Sequence, residues 1–143
     1  MIYFDSTYIA KLYLKEPDSD AVRARVALEG EVCSAVLAQL EVASVFHRKL
    51  REKLATPDEF RRLMDQFDSD CADGLWIWLP VTQTILQSVV AKYRQLPAET
   101  FLRAADAVHL ATAAEAELTT IFSNDRHLLA AAPHFSLTGS VIS

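Results

Sequence analysis

The sequence predicts an α/β protein, a three-layer α/β/α fold with a mainly parallel central sheet. Short apolar runs alternate along the chain with segments whose apolar residues recur at helical spacing. Such alternation is typical of a mainly parallel sheet that carries helices on both faces. The chain of 143 residues is long enough to bury one sizeable core, so we predict a single domain over residues 1–143.

Five apolar runs predict the strands, and the first is Ile2-Tyr3-Phe4 at the N-terminal end. The predicted strands cover residues 2–4, 31–33, 75–79 and 119–123, with a last one within 135–142. Capping residues mark the helices, as in Thr56-Pro57-Asp58-Glu59, a capping box with proline in the first turn. The predicted helices cover residues 6–14, 19–29, 34–54, 57–67, 82–93, 102–118 and 126–132, with Ser34 capping the third.

Charge and composition limit the classes of function. The formal net charge of −5 disfavours a broad electrostatic binder of nucleic acid. A basic run from His47 to Arg62 is best explained as a solvated helix face, with a local basic rim beside an acidic site as the alternative. The N-terminus lacks the pattern of a signal peptide, and no apolar stretch reaches the roughly 18 residues of a membrane span.

The two cysteines, Cys33 and Cys71, are far apart and have no zinc-ligand spacing. We expect both to be buried free thiols, which suits a reducing compartment. Together with the missing targeting signals, this predicts a cytoplasmic protein without a membrane partner.

Two acidic residues follow predicted strands. Asp5 comes directly after the first strand, and Asp125 comes shortly after the fourth. Ligands of open α/β sheets bind at the carboxyl ends of strands, so both residues are candidates for a site. Each alone is better explained as the N-cap of the helix that follows it.

Two further acids lie within apolar helical segments. Glu41 is surrounded by Leu37, Leu40 and Val42, and by itself suits an exposed helix face. Asp106 is flanked by alanines on both sides, and a carboxylate near a core must be paired, hydrogen-bonded or bound to metal. Arg103, three residues earlier, offers an ion-pair alternative for Asp106.

The four acids acquire a joint meaning if the fold brings them together. Converging carboxylates repel one another at neutral pH, and a hard cation such as Mg²⁺ or Mn²⁺ relieves that repulsion. Such an ion can orient a phosphate and activate a water, so hydrolysis of a phosphodiester needs no protein nucleophile. None is evident, since the chain has no GxSxG, cysteine–histidine or Walker A signature.

Four segments resemble the blocks of the PIN (PilT N-terminal) domain family, and their order is similar to that in VapC-type toxins. The third segment is the most specific, and the likeness covers nearly the whole chain. The segments are Ile2-Tyr3-Phe4-Asp5-Ser6-Thr7, Ser34 to Glu41, Leu102 to Ala113 around Asp106, and Phe122-Ser123-Asn124-Asp125-Arg126-His127-Leu128.

The resemblance implies a PIN-like nuclease that cuts RNA with Mg²⁺ or Mn²⁺. It assigns Asp5, Glu41, Asp106 and Asp125 to the acidic cluster. Asp5 and Asp106 would be metal ligands, Glu41 would bind metal or orient the attacking water, and Asp125 would complete the site or hold a second ion. Ser6 and Ser123 would support these carboxylates by hydrogen bonds, although Ser6 suits a helix cap better.

The remaining expectations concern His109, the partners and the rival functions. His109 is best explained as a partly buried histidine satisfied by its neighbours, with a place at the rim of the site as the alternative. The family resemblance implies an antitoxin partner and a homodimer. A phosphatase with an aspartate nucleophile is disfavoured, because Thr7 stands where a second carboxylate is needed. A PIN-like domain that binds RNA or protein without cleaving it stays as the second hypothesis.

Overall fold

A computed structural model describes residues 1–143 and confirms the predicted fold class. Five strands form one parallel sheet in the order β3-β2-β1-β4-β5. The strands are β1 (Ile2–Phe4), β2 (Val32–Ala35), β3 (Trp76–Leu79), β4 (Thr120–Phe122) and β5 (Thr138–Ser140). The helices are α1 (Ser6–Lys11), α2 (Ser19–Glu29), α3 (Ala38–Arg51), α4 (Pro57–Ala72), α5 (Gln83–Gln95), α6 (Ala104–Glu115) and α7 (Arg126–Ala131), followed by a 3₁₀ turn at Ala132–Phe135.

Helices cover both faces of the sheet because neighbouring strand residues point to opposite sides. Tyr3 of β1 packs with helices α5, α6 and α7 in one core cluster. Phe4, the next residue, packs with α1, α2, α3 and α4 in the other cluster. The same alternation separates Ile121 from Phe122 in β4. The sheet is therefore the middle of three layers.

The strand order places a switch point between β1 and β4. From β1 the chain builds the sheet outward through β2 and β3, whereas β4 and β5 lie on the other side. Phe4 and Phe122 are paired in register, so β1 and β4 end at the same edge. The carboxyl ends of strands at such a switch point are where α/β folds bind ligands.

The structure corrects the predicted start of two helices. Ser34 does not cap a helix; it lies fully buried in β2, because β2 continues in register with β3 and pairs Ser34 with Trp78. Helix α3 begins at Ala38 and has no side-chain cap. Helix α6 begins at Ala104 and not at Leu102, since Arg103 has an extended backbone. Asp106 therefore lies in the first turn of α6.

Other local predictions have mixed outcomes. The capping box is confirmed, because the Thr56 hydroxyl accepts the Glu59 N–H and the Glu59 carboxylate accepts the Thr56 N–H, both at 3.1 Å. Both cysteines are free; Cys33 is buried as expected, but Cys71 is only half-buried on α4. No helix combines the length and apolar character that crossing a membrane requires.

Candidate metal centre

Asp5 directly follows β1, at the switch point of the sheet, and is the N-cap of α1. Its Oδ1 accepts the Tyr8 N–H at 3.0 Å, and its Oδ2 accepts the Ser123 hydroxyl at 2.5 Å. Only 5% of the residue is exposed. Burial raises the pKa of this carboxyl above its usual range, although both hydrogen bonds act to lower it. The charge on Asp5 is thus only partly compensated.

Asp125 has the corresponding position after β4, at the start of α7. Its Oδ1 accepts the N–H groups of His127 at 2.9 Å and Leu128 at 3.1 Å. The Ser123 hydroxyl oxygen accepts the Asp125 N–H at 3.0 Å, so one buried serine connects Asp5 with Asp125. For both acids, the capping role and the place at the site hold together.

Asp106 reaches the same place from the first turn of α6 and makes the ion pair that its spacing predicts. Arg103 Nε donates to Asp106 Oδ2 at 3.2 Å, and Arg103 Nη2 donates to Asp125 Oδ2 at 2.5 Å. The guanidinium therefore bridges the two acids. Burial raises the pKa of the Asp106 carboxyl, while the Arg103 guanidinium opposes that rise.

Glu41, in the first turn of α3, contacts a chain of buried polar groups. His109 Nε2 lies 2.6 Å from Glu41 Oε1, and His109 Nδ1 lies 2.6 Å from the Tyr3 hydroxyl. That hydroxyl also accepts the Ala35 N–H at 3.0 Å. If it donates its proton to Nδ1, Nε2 carries the ring proton and donates it to Glu41. His109 is only 1% exposed, so this contact holds Glu41 in one orientation.

His109 is thus fully buried and satisfied by its neighbours, but one of those neighbours is a candidate site residue. Sequence reasoning missed this link and missed Tyr3 altogether. His109 belongs to α6 and Glu41 to α3, and these helices lie on opposite faces of the sheet. No spacing in the sequence reports a contact between residues 68 positions apart.

One cavity of about 440 Å³ brings the predicted acids together. All four line it, as do Ser6, Arg48, Arg103 and His109. Ser6 is in the wall, but its hydroxyl makes no hydrogen bond to a carboxylate, and the cap of α1 is Asp5. Arg48 gives the cavity a cationic side, whereas Arg51 and Arg61 of the same basic run are largely solvent-exposed.

The donor chemistry of the cavity suits a hard divalent cation. The acidic side chains that line it are aspartates and glutamates, and Mg²⁺ and Mn²⁺ prefer such carboxylate oxygens as ligands. In the described arrangement no group of three or more acidic, histidine or cysteine side chains is set to coordinate an ion. The Arg103 guanidinium instead supplies positive charge between Asp106 and Asp125. Arg103 therefore occupies two carboxylate oxygens, Asp106 Oδ2 and Asp125 Oδ2, for which a metal ion would compete.

The fold and the cavity together define a class, an α/β/α domain with a carboxylate-lined site at the switch point of its sheet. The chain belongs to the PIN domain family, whose sequence pattern matches residues 2–133. This confirms the resemblance predicted from the four segments. A comparison with curated proteins found no match.

Solved structures share this fold at low sequence identity. VapC20 of Mycobacterium tuberculosis, a toxin that cleaves the sarcin-ricin loop, is 13% identical with a TM-score of 0.71, over 92% of this chain and 95% of that one. FitAcB of Neisseria gonorrhoeae is 16% identical with a TM-score of 0.71, over 100% and 97%. VapBC2 of Rickettsia felis, bound to promoter DNA, is 11% identical with a TM-score of 0.68, over the full length of both chains.

Proposed function

We propose that this chain is a divalent-metal-dependent endoribonuclease, the toxin component of a type II toxin–antitoxin system. One observation carries the proposal: four acids from four separate segments line a single cavity at the switch point of the sheet. Membership of the PIN family supports a nuclease, and structural neighbours that include a toxin that cleaves the sarcin-ricin loop and a VapBC complex support the toxin role. The whole chain, residues 1–143, would act as one nuclease domain.

The roles of the acids follow from their surroundings. Asp5 and Asp106 would hold the ion, because burial leaves their charges undercompensated. Asp125 would complete the ligand set or hold a second ion. Bound Mg²⁺ or Mn²⁺ would supply the positive charge that neutralises these carboxylates and polarises the scissile phosphate.

The other residues would orient groups and move protons. Ser123 fixes the position of Asp5 through the 2.5 Å hydrogen bond. Glu41, held by His109, would accept the proton of the attacking water as the water oxygen bonds to phosphorus and one ester P–O bond breaks. Arg103, released from Asp106 and Asp125, would be free to stabilise negative charge on the phosphate.

The direct test is RNA cleavage by the purified protein with and without metal. Wild-type protein should cut RNA in Mg²⁺ or Mn²⁺, stop in EDTA and recover when metal is restored. Asp5→Asn and Asp106→Asn should abolish cleavage and stay folded, whereas Glu115→Gln, an exposed control on the same helix as Asp106, should cut normally. Wild-type cleavage by either aspartate variant would refute the metal assignment.

A second candidate function is a PIN-like domain that binds RNA or protein without cleaving it. The ion pairs of Arg103 favour it, because they hold Asp106 and Asp125 without any metal. Stable RNA binding with no cleavage in millimolar Mn²⁺ would select this alternative.

We further propose a cognate antitoxin that inhibits the nuclease, a homodimeric toxin and a cytoplasmic place of action. The neighbours include toxin–antitoxin complexes, and an antitoxin could insert a cationic side chain into the acidic cavity. Co-purification with the product of an adjacent small reading frame, and the mass of the isolated toxin in solution, test the first two points.

A further inference from the structure

We propose that Phe101 and His127 form a stacking platform for a nucleobase of single-stranded RNA, beside the acidic cavity. This inference rests on the proposed function, because it concerns how the same site receives its substrate. Phe101 is 54% exposed, and its ring centroid lies 4.5 Å from that of His127, with the two rings tilted by 49°. The pair offers an aromatic surface to solvent.

Packing of the fold does not account for Phe101. Neither core cluster includes it, although Leu102, the next residue, packs against the core. The loop is tied down on both sides of the ring: the Tyr93 hydroxyl donates to the Leu102 carbonyl at 2.6 Å, and the Thr100 N–H donates to the Pro97 carbonyl at 3.0 Å. The backbone thus presents Phe101 outward at a fixed place.

That place is next to the groups proposed for catalysis. Arg103, two residues after Phe101, bridges Asp106 and Asp125, and the backbone N–H of His127 donates to Asp125 Oδ1 at 2.9 Å. The platform therefore lies on the Asp125 side of the cavity. Isolated exposed hydrophobic residues are common on proteins, but this one packs against His127, whose backbone N–H is bonded to Asp125.

The chemistry of the surroundings suits a nucleotide. Arg126 is exposed and directly precedes His127 in the sequence, and its guanidinium can contact a phosphate of the bound strand. Aromatic side chains stack on any of the four bases, and a base is free to stack in this way only where the RNA is unpaired. The expected ligand is thus a single-stranded segment next to the scissile phosphate.

The test measures RNA affinity in EDTA, where no cleavage occurs. Fluorescence anisotropy gives the Kd of labelled single-stranded heptamers for wild-type protein, Phe101→Ala, Phe101→Trp and the control Leu75→Ala, which removes a side chain that is 53% exposed elsewhere. We expect Phe101→Ala to weaken binding about ten-fold, and Phe101→Trp and Leu75→Ala to bind like wild type. Unchanged melting curves show that the variants are folded.

Abasic oligonucleotides make the test specific for stacking. Removing bases should weaken binding to wild type, but the same removal should weaken binding to Phe101→Ala much less, because the stacking partner is already gone. Equal Kd values for wild type and Phe101→Ala, equal base dependence of the two, or no RNA binding at all would each overturn the platform. Loss of antitoxin binding by Phe101→Ala with normal RNA affinity would assign the surface to a protein and overturn it too.

The outcomes also separate this inference from the proposed nuclease. If Phe101-dependent RNA binding occurs but Mn²⁺ never produces cleavage, the ribonuclease proposal fails and the platform stands. If wild-type protein cleaves RNA and Phe101→Ala retains both its Kd and its kcat/KM, the nuclease stands and the platform fails.

Discussion

At the scale of single residues, Asp5 has a structural role as the N-cap of α1 and a proposed chemical role as a charged metal ligand. Replacing its carboxylate by the amide of asparagine separates the two roles. Asparagine keeps the oxygen that accepts the Tyr8 N–H, but removes the buried charge. Without metal, we expect Asp5→Asn to be more stable than wild type at pH 7, although it should be inactive.

The pH dependence gives the sign of this effect. Burial raises the pKa of Asp5 above its ordinary 3.8, so the folded state favours the protonated acid. The stability linked to that proton is fully present below the ordinary pKa and is lost as pH rises through the raised value. Urea unfolding from pH 4 to 7 should show the advantage of Asp5→Asn growing with pH, with no such trend for the exposed control Asp20→Asn. A less stable Asp5→Asn at pH 7 would contradict this account.

His109 provides a second expectation at this scale. Leucine removes the contact with Glu41, whereas glutamine keeps an N–H that can reach its carboxylate. We expect His109→Leu to lower kcat about 10- to 100-fold, the usual effect of losing a partner that orients a ligand, and His109→Gln to recover part of the loss. Single-turnover cleavage at saturating RNA measures the rate of each variant. If His109→Gln is no more active than His109→Leu, the role of His109 is merely structural.

Residue identities were therefore more predictable than residue contacts. Asp5, Glu41, Asp106 and Asp125 could be selected as candidates because an acid after a strand or within an apolar helix needs an explanation. Their partners could not all be selected in this way. The Arg103–Asp106 pair has helical spacing, but the bridge to Asp125 depends on how α6 and α7 are placed by the sheet.

At the scale of elements, the sequence locates the helices and strands well, but it misplaces some of their boundaries. Apolar spacing runs without interruption through Leu102, so it cannot show that Arg103 is extended and that α6 begins after it. Likewise, the apolar run that ends at Cys33 does not show that pairing with β3 extends β2 to Ala35. Pairing with β3 decides the end of β2, and the start of α6 at Ala104 places Asp106 in the first turn of that helix.

The contact between β5 and α7 gives an expectation for elements. A Cβ on Gly139 would lie 2.6 Å from Leu129 Cδ2 and 3.1 Å from Leu129 Cα, so Gly139→Ala forces the Leu129 side chain to move and the backbone of α7 to shift by a few tenths of an ångström. We expect it to lower the free energy of unfolding by about 1–3 kcal/mol. Thermal or urea unfolding measures the change, and the exposed Thr138→Ala on the same strand is the control.

A double variant identifies the cause. The closest atom is the end of a side chain, so Leu129→Ala should relieve part of the clash, although the backbone contact stays. Gly139→Ala should therefore cost less stability in the Leu129→Ala background than in wild type. Additive losses would mean that the Leu129 side chain is not what resists the new methyl group.

At the scale of the whole molecule, strand order is what creates the site. Alternation of strands and helices predicts a mainly parallel sheet, but it does not state that β1 lies between β2 and β4. That order brings residues 5 and 123 within one hydrogen bond across 118 positions of sequence. It also lets α3 and α6, from opposite faces, meet over the carboxyl edge through Glu41 and His109. The long-range placement of the acids thus comes from topology, which no local pattern encodes.

Competition between a metal ion and Arg103 for Asp106 and Asp125 should change the thermal stability of the whole protein. A ligand that binds only the folded state stabilises it by about 2.7 kcal/mol at one hundred times its Kd, so Mn²⁺ should raise the Tm of wild type. Arg103→Gln removes the bridge between Asp106 and Asp125. We expect this variant to have a lower Tm than wild type in EDTA, a larger rise with Mn²⁺ and a several-fold smaller Kd for Mn²⁺.

Differential scanning calorimetry with titrated Mn²⁺ measures the shifts, and the electron paramagnetic resonance signal of free Mn²⁺ gives the Kd independently of RNA cleavage. Arg51→Gln is the control, because that exposed arginine is not in the cavity and its loss should leave the metal response unchanged. If Arg103→Gln binds Mn²⁺ no more tightly than wild type, the guanidinium is not a competitor for the site. If millimolar Mn²⁺ moves neither Tm, the four carboxylates do not form a metal site.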